Sequence, residues 1–129
     1  GAYMGSASNG RISPASRADE AAAAAVAITN ESHKGKIYEL AGDDSYTLHD
    51  LAAEVSKQSG KKIPYKNLTE GEYIDALKSF NVPGPLAEAI AGWDVSASND
   101  DLYDDSHQLS LIIGRPTTPL SESVREALK

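Results

Sequence analysis

The sequence predicts an α/β chain, mostly helical, with one short parallel βαβ unit. Three observations point there. Residues 36–41 and 62–67 are strand-like runs that enclose an amphipathic stretch at 48–59, and a strand, a helix of about three turns and another strand favour parallel pairing with a right-handed crossover. Helix-capping signals recur along the chain, each ahead of an apolar stripe. Hydrophobic residues make up 40% and charged residues 24%, a balance that supports a folded core and excludes disordered and fibrous classes.

The elements follow in order. Asn9-Gly10 tolerates the positive φ angles of a tight turn, so Tyr3-Met4 and Arg11-Ile12 are expected to be the arms of a first hairpin. After Pro14, Ser16 or Asp19 can cap a helix built on Ala21 to Ile28. Its five consecutive alanines give high helix propensity and a thin profile, which predicts a helix sandwiched between neighbours. The strand at 36–41 ends at Gly42-Asp43-Asp44. Thr47-Leu48-His49-Asp50 resembles a capping box, with Leu48, Leu51, Ala52 and Val55 along one helical face until Gly60 stops it. A second capping signal at Thr69-Glu70-Gly71-Glu72 opens a helix striped by Tyr73, Ile74, Leu77 and Phe80. Pro83-Gly84-Pro85 breaks the chain. A short helix carrying Leu86, Ala89, Ile90 and Trp93 is expected next, then a solvated acidic loop from Asp94 to Asp101. Asp104 or Asp105 would cap a helix with Leu109, Ile112 and Ile113, and Leu120, Val124 and Leu128 mark a last amphipathic helix.

At 129 residues the chain suits one domain or a piece of a larger protein. A net charge of -7 repels a polyanion over most of the surface and argues against nucleic acid as a partner. No apolar run approaches the ~18 residues of a membrane span, and no secretory signal is visible. Zero cysteines remove disulfides, thiolate nucleophiles and Cys-based zinc sites. These features read as cytoplasmic. The sequons at Asn30 and Asn67 carry little weight without an export signal.

The residues offer little acid–base machinery. No G-x-G-x-x-G or P-loop glycine pattern is present, and no tyrosine has a lysine four residues later; Tyr73 and Lys78 miss by one. His33, His49 and His107 stand apart, outside metal-ligand spacing, and read as surface or capping residues. The acidic group from Asp94 to Asp105 lacks the glycine and terminal glutamate of an EF-hand loop. No catalytic, cofactor-binding or metal-ligating residue is therefore assigned. Arg17 with Asp19 is the most informative pair. An arginine held at a helix start can face a bound anion or polar substrate while Asp19 complements the helix dipole; alternatively one pairs with a neighbouring loop and the other caps. Trp93 is read as core rather than as a lid over an aromatic ligand.

Arg17-Ala18-Asp19 before an Ala-rich helix, then Gly35 to Gly42, Tyr46-Thr47-Leu48 and Leu51-Ala52, together with the tail from Asp104 through Leu109-Ser110-Leu111-Ile112-Ile113-Gly114-Arg115-Pro116, resemble the C-terminal half of NmrA-like atypical short-chain dehydrogenases. Within that group the sequence is most similar to the type 2 NAD(P)H:quinone oxidoreductases. The resemblance implies that residues 1–129 are the substrate-binding C-terminal part of a Rossmann-like NAD(P)-binding fold. The N-terminal dinucleotide-binding half is absent from this chain, and because the chain starts at Gly1 without an initiator Met, a longer parent protein is expected. The implied activity is hydride transfer from NADPH or NADH to a quinone-like small molecule, with no cofactor bound by this portion alone. Tyr3, Met4 and Arg17 are the expected substrate-binding residues, because the first segment adjoins the missing half in chain order. A non-enzymatic redox-sensing regulator is the alternative the same family allows. A portion deprived of its other half is also expected to self-associate through uncovered strand edges and apolar surface.

Overall fold

The computed structural model describes residues 1–129, and the chain divides into two compact units: residues 1–12 with 46–102, and residues 13–45 with 103–129.

The first unit is built on a two-stranded parallel sheet. Strand β1 (Tyr3–Gly5) pairs with β2 (Tyr65–Asn67) in the register Tyr3 to Tyr65, Met4 to Lys66 and Gly5 to Asn67. Parallel pairing is thus present, but the partner of the 62–67 segment is Tyr3–Gly5. Residues 36–41 form no strand, which corrects the sequence expectation. The hairpin expected at Asn9-Gly10 is also absent, because the β1 backbone is committed to distant residues: Tyr3 N–H donates to the Pro64 carbonyl at 3.0 Å, and the Gly5 carbonyl accepts from Leu68 N–H at 2.8 Å. Ile12 meets Tyr46 in a single antiparallel bridge. The left-handed residue of the intervening turn is Ser8, at φ 50°. Gly10 is required for a different reason, since a Cβ there would collide with the Ala97 carbonyl.

Helices α2 (Leu48–Ser59) and α3 (Glu70–Ser79) open on complete capping boxes, Thr47 with Asp50 and Thr69 with Glu72, as their sequences predict. Gly60 closes α2 in the left-handed region at φ 69°. Helix α4 (Gly84–Ser98) runs longer than expected and absorbs the first part of the predicted acidic loop. Ala87, Ala91 and Ala97 are buried on one face of it, and Asp94 lies on that same face. Trp93 projects about 200° around the helix from Ala91 and is 62% exposed, so the core reading of Trp93 is overturned. Phe80 caps the end of α3 and is likewise exposed rather than part of a buried stripe. The core of this unit gathers Ala7, Leu48 and Ala97, with Ile12, Leu51 and Tyr65 packed against them.

The second unit contains α1 (Arg17–Thr29), a 3-10 turn at Glu31–His33, α5 (Gln108–Ile113) and α6 (Leu120–Ala127). Ser16 is the N-cap of α1, accepting from Asp19 N–H at 3.1 Å. Only Asp19 and Ala23 of α1 are buried, while Ala18, Ala21, Ala24, Ala25 and Ile28 are exposed, so α1 is covered on one face and not sandwiched. His107, at φ 55°, precedes α5, whereas Asp104 turns back to accept from the Ser106 N–H and hydroxyl and caps no helix.

Candidate functional site

The expected substrate residues fall into both units. Tyr3 and Met4 are consecutive on β1 in the first unit, and Arg17 is an exposed residue at the start of α1 in the second.

Around Tyr3 the first unit assembles an aromatic and acidic cluster. The parallel register sets Tyr3 opposite Tyr65, with ring centroids 6.0 Å apart, and His49 meets Tyr65 edge-on at 4.6 Å. The Tyr65 hydroxyl reaches across to accept from Ala7 N–H at 3.1 Å and donates to Asn67 Oδ1 at 3.1 Å. Asn67 Oδ1 also accepts from Ser8 N–H at 2.8 Å. From α4, Asp94 Oδ2 accepts from Ser6 N–H at 2.7 Å. Burial pushes the Asp94 carboxyl above its usual range, and that one amide only partly opposes the effect. Burial, and then the Asp94 charge, push the Tyr3 and Tyr73 phenols up; burial also raises Tyr65, against the Ala7 amide and with Asp94. The phenols therefore keep their protons at neutral pH and can donate hydrogen bonds from a surface that also offers ring faces. Tyr3 is the most accessible of these three phenols, at 40% exposed. Three residues along the chain, the Ser6 hydroxyl is buried without a hydrogen-bond partner. Gly5 leaves no spare room, since a Cβ there would meet Asp94 Oδ2 at 2.7 Å and the Tyr65 hydroxyl at 3.1 Å.

Sequence reasoning missed Asp94, which it placed in a solvated loop. The signal was the run Ala87, Ala91, Asp94, which recurs at helical spacing and puts the carboxylate on the buried alanine face.

In the second unit the Arg17–Asp19 pair resolves into separate roles. Asp19 is fully buried: Oδ2 accepts from Thr118 N–H at 2.7 Å, and Oδ1 pairs with the Arg115 guanidinium at 2.6 Å. Burial opposes ionisation, but these bonds outweigh it and hold the carboxyl below its ordinary range. Asp19 thus fastens the Gly-Arg-Pro tail to α1. Asp43 is a second clasp, accepting from Thr117 N–H, the Ser110 hydroxyl and His107 at 2.9, 2.7 and 2.9 Å.

None of the helices of eight or more residues has an N-terminus that suits a dinucleotide pyrophosphate. The first turns of α1, α2, α3 and α6 carry acidic residues, α4 has a proline in its first turn where an N–H is needed, and no glycine-rich loop precedes any of them. No cluster of three His, Asp or Glu side chains is placed to hold a metal ion.

No family model matches the chain. It is 53% identical over 124 residues to Quinone oxidoreductase 2 of Escherichia coli (strain K12), a match spanning 96% of this chain and 43% of that protein. The crystal structure of an NADPH-dependent quinone oxidoreductase from Escherichia coli superposes with a TM-score of 0.96 at 51% identity, covering 100% of this chain and 47% of that one. The chain is thus similar to one portion of an NADPH-dependent reductase. The Citrobacter sp. triphenylmethane reductase, at 33% identity and TM-score 0.93, covers 99% of this chain and 44% of its own length. NAD(P)H azoreductase of Xenophilus azovorans is 26% identical over 88% of this chain and 40% of that protein. The chain therefore spans about half the length of the reductases it matches, and it corresponds to a C-terminal portion of the quinone oxidoreductase.

Proposed function

We propose that this chain is the substrate-binding portion of an NAD(P)H-dependent oxidoreductase that reduces quinone-like acceptors by hydride transfer. The observation that carries the reading is the 53% identity to Quinone oxidoreductase 2 over 96% of the chain. The nicotinamide cofactor would supply the hydride, and the reading assigns this chain no cofactor contact. What the chain supplies is shape and polarity. The Tyr3 ring, with Met4 beside it on β1, offers a face for a planar acceptor, its protonated phenol offers a donor to a carbonyl oxygen, and Arg17 offers a cation for a polar or anionic substituent. The acidic surface disfavours nucleic acid, and no helix is long and apolar enough to cross a membrane. We place the protein in the cytoplasm, and we expect the chain by itself to self-associate through its exposed apolar residues.

A chimera tests the reading. When this chain replaces the matched portion of the Escherichia coli reductase, the product should oxidise NADPH in the presence of a simple benzoquinone. Tyr3→Ala in that chimera should raise KM for the quinone on the order of 5–10-fold, the loss of one aromatic contact. A folded chimera that binds NADPH but leaves benzoquinone unreduced would sink the proposal.

A further inference from the structure

For Asp19, Asp43 and Asp94, burial is the largest single influence on the carboxyl, and the fold gives two of them a cation. Asp19 pairs with Arg115 and Asp43 with His107. Asp94, half-buried on α4, has none: no lysine, arginine or histidine lies within reach of its charge. Its side chain accepts one hydrogen bond, from Ser6 N–H to Oδ2 at 2.7 Å, while Oδ1 takes no donor from the chain and stays open to solvent. Asparagine would serve that amide equally well, so the hydrogen bond does not account for an acid here. A partly desolvated carboxylate without a counter-charge is costly, and a cation from outside the chain would relieve it. What faces Asp94 from the neighbouring elements is aromatic. Tyr3 on β1, Tyr65 on β2 and Tyr73 on α3 all lie close enough to feel its charge. The Tyr3 and Tyr65 rings stand 6.0 Å apart with their planes inclined at 38°, and His49 closes on Tyr65 edge-on. A metal ion would need further carboxylates or imidazoles, and no group of three is placed to hold one. Ring faces beside a single open carboxylate are instead what an organic ammonium ion binds.

We propose that Tyr3, Tyr65, Tyr73 and Asp94 form a recognition site for a small organic cation of the quaternary-ammonium class. Asp94 supplies the counter-charge through its open oxygen, and the tyrosine rings supply the contact surface. Gly5 keeps the arrangement close, because a Cβ there would meet both Asp94 Oδ2 and the Tyr65 hydroxyl. The site goes beyond the quinone reading, which calls for a neutral acceptor beside Tyr3, and it stands whether or not the protein turns over a quinone.

Two probes of equal shape test the site: choline and its uncharged carbon isostere, dimethylbutanol, each titrated into the chain and followed by nuclear magnetic resonance of the tyrosine ring protons. Choline should bind at least about tenfold more tightly than the isostere. Asp94→Asn should remove most of that preference without lowering the urea midpoint, since it keeps the acceptor for Ser6 N–H and deletes an unpaired charge. Tyr3→Leu should weaken choline about 2–5-fold through the lost ring face. Asp75→Asn, which removes the same charge from an exposed position on α3, should leave both affinities unchanged. Equal binding of the two probes would overturn the inference, as would an Asp75→Asn effect as large as that of Asp94→Asn, which would assign the attraction to net charge. So would a chimera, made as above, that no longer takes choline, because a group of the portion this chain does not cover would then be the partner of Asp94. Benzoquinone reduction by the chimera is read separately and bears only on the quinone reading.

Discussion

Asp43→Asn is the substitution whose effect can be worked furthest from the structure. The Asp43 side chain is only 23% exposed, and burial alone would raise its pKa. The Thr117 amide, the Ser110 hydroxyl and His107 all favour the charged form and win, bringing the pKa from 3.8 down to about 2. A native-state pKa below the unfolded value means that the unfolded chain binds the proton more readily. The stabilisation is therefore complete above the unfolded value and is lost as pH falls toward the folded one. Its size is about 2 kcal/mol at pH 7, falls to about half of that near pH 3 and is nearly gone by pH 2. Asparagine keeps the shape and an oxygen for the Thr117 amide but carries no charge, so the variant should be less stable by about these amounts at each pH. Urea unfolding followed by far-ultraviolet circular dichroism at pH 7 and pH 3 measures the gap. A variant as stable as the parent at pH 7, or a gap that stays constant on acidification, would show that the Asp43 clasp is not an electrostatic one.

Three further outcomes are expected. Asp19→Ala should cost about 3 kcal/mol in the same unfolding assay, because it strips the acceptor from the Thr118 amide and leaves Arg115 without the fully buried carboxylate it pairs with; a loss below about 1 kcal/mol would contradict the buried clasp. Gly10→Ala should lower stability by about 1–3 kcal/mol, since the new methyl group meets the Ala97 carbonyl of α4, and an unchanged midpoint would mean that the approach of these two backbones is looser than described. Gly60→Ala should cost about 1 kcal/mol through its left-handed φ of 69° alone, with nothing near enough to clash, and a neutral result would place the end of α2 in another conformation.

Local chemistry was enough to determine much of the helical scaffold. Thr47 with Asp50 and Thr69 with Glu72 carry their capping partners three residues away, so both helix starts were legible from the sequence. Gly60 and Gly114 end helices because glycine adopts positive φ without strain, another property of a single residue. The fold class followed, and the NmrA-like resemblance rested on the order of such pieces. Tertiary structure alone decided which strand paired with which. A strand-like run specifies readiness to pair and not a partner, so Tyr3–Gly5 took the place beside Tyr65–Asn67 and residues 36–41 were left without a ladder. It also decided which polar residues are buried. Asp19, Asp43 and Asp94 look alike in the sequence, yet they differ in the amides, hydroxyls and cations that residues about 60 to 100 positions away bring to them. The charge state and role of a carboxylate depend on those neighbours, and only the folded chain supplies them.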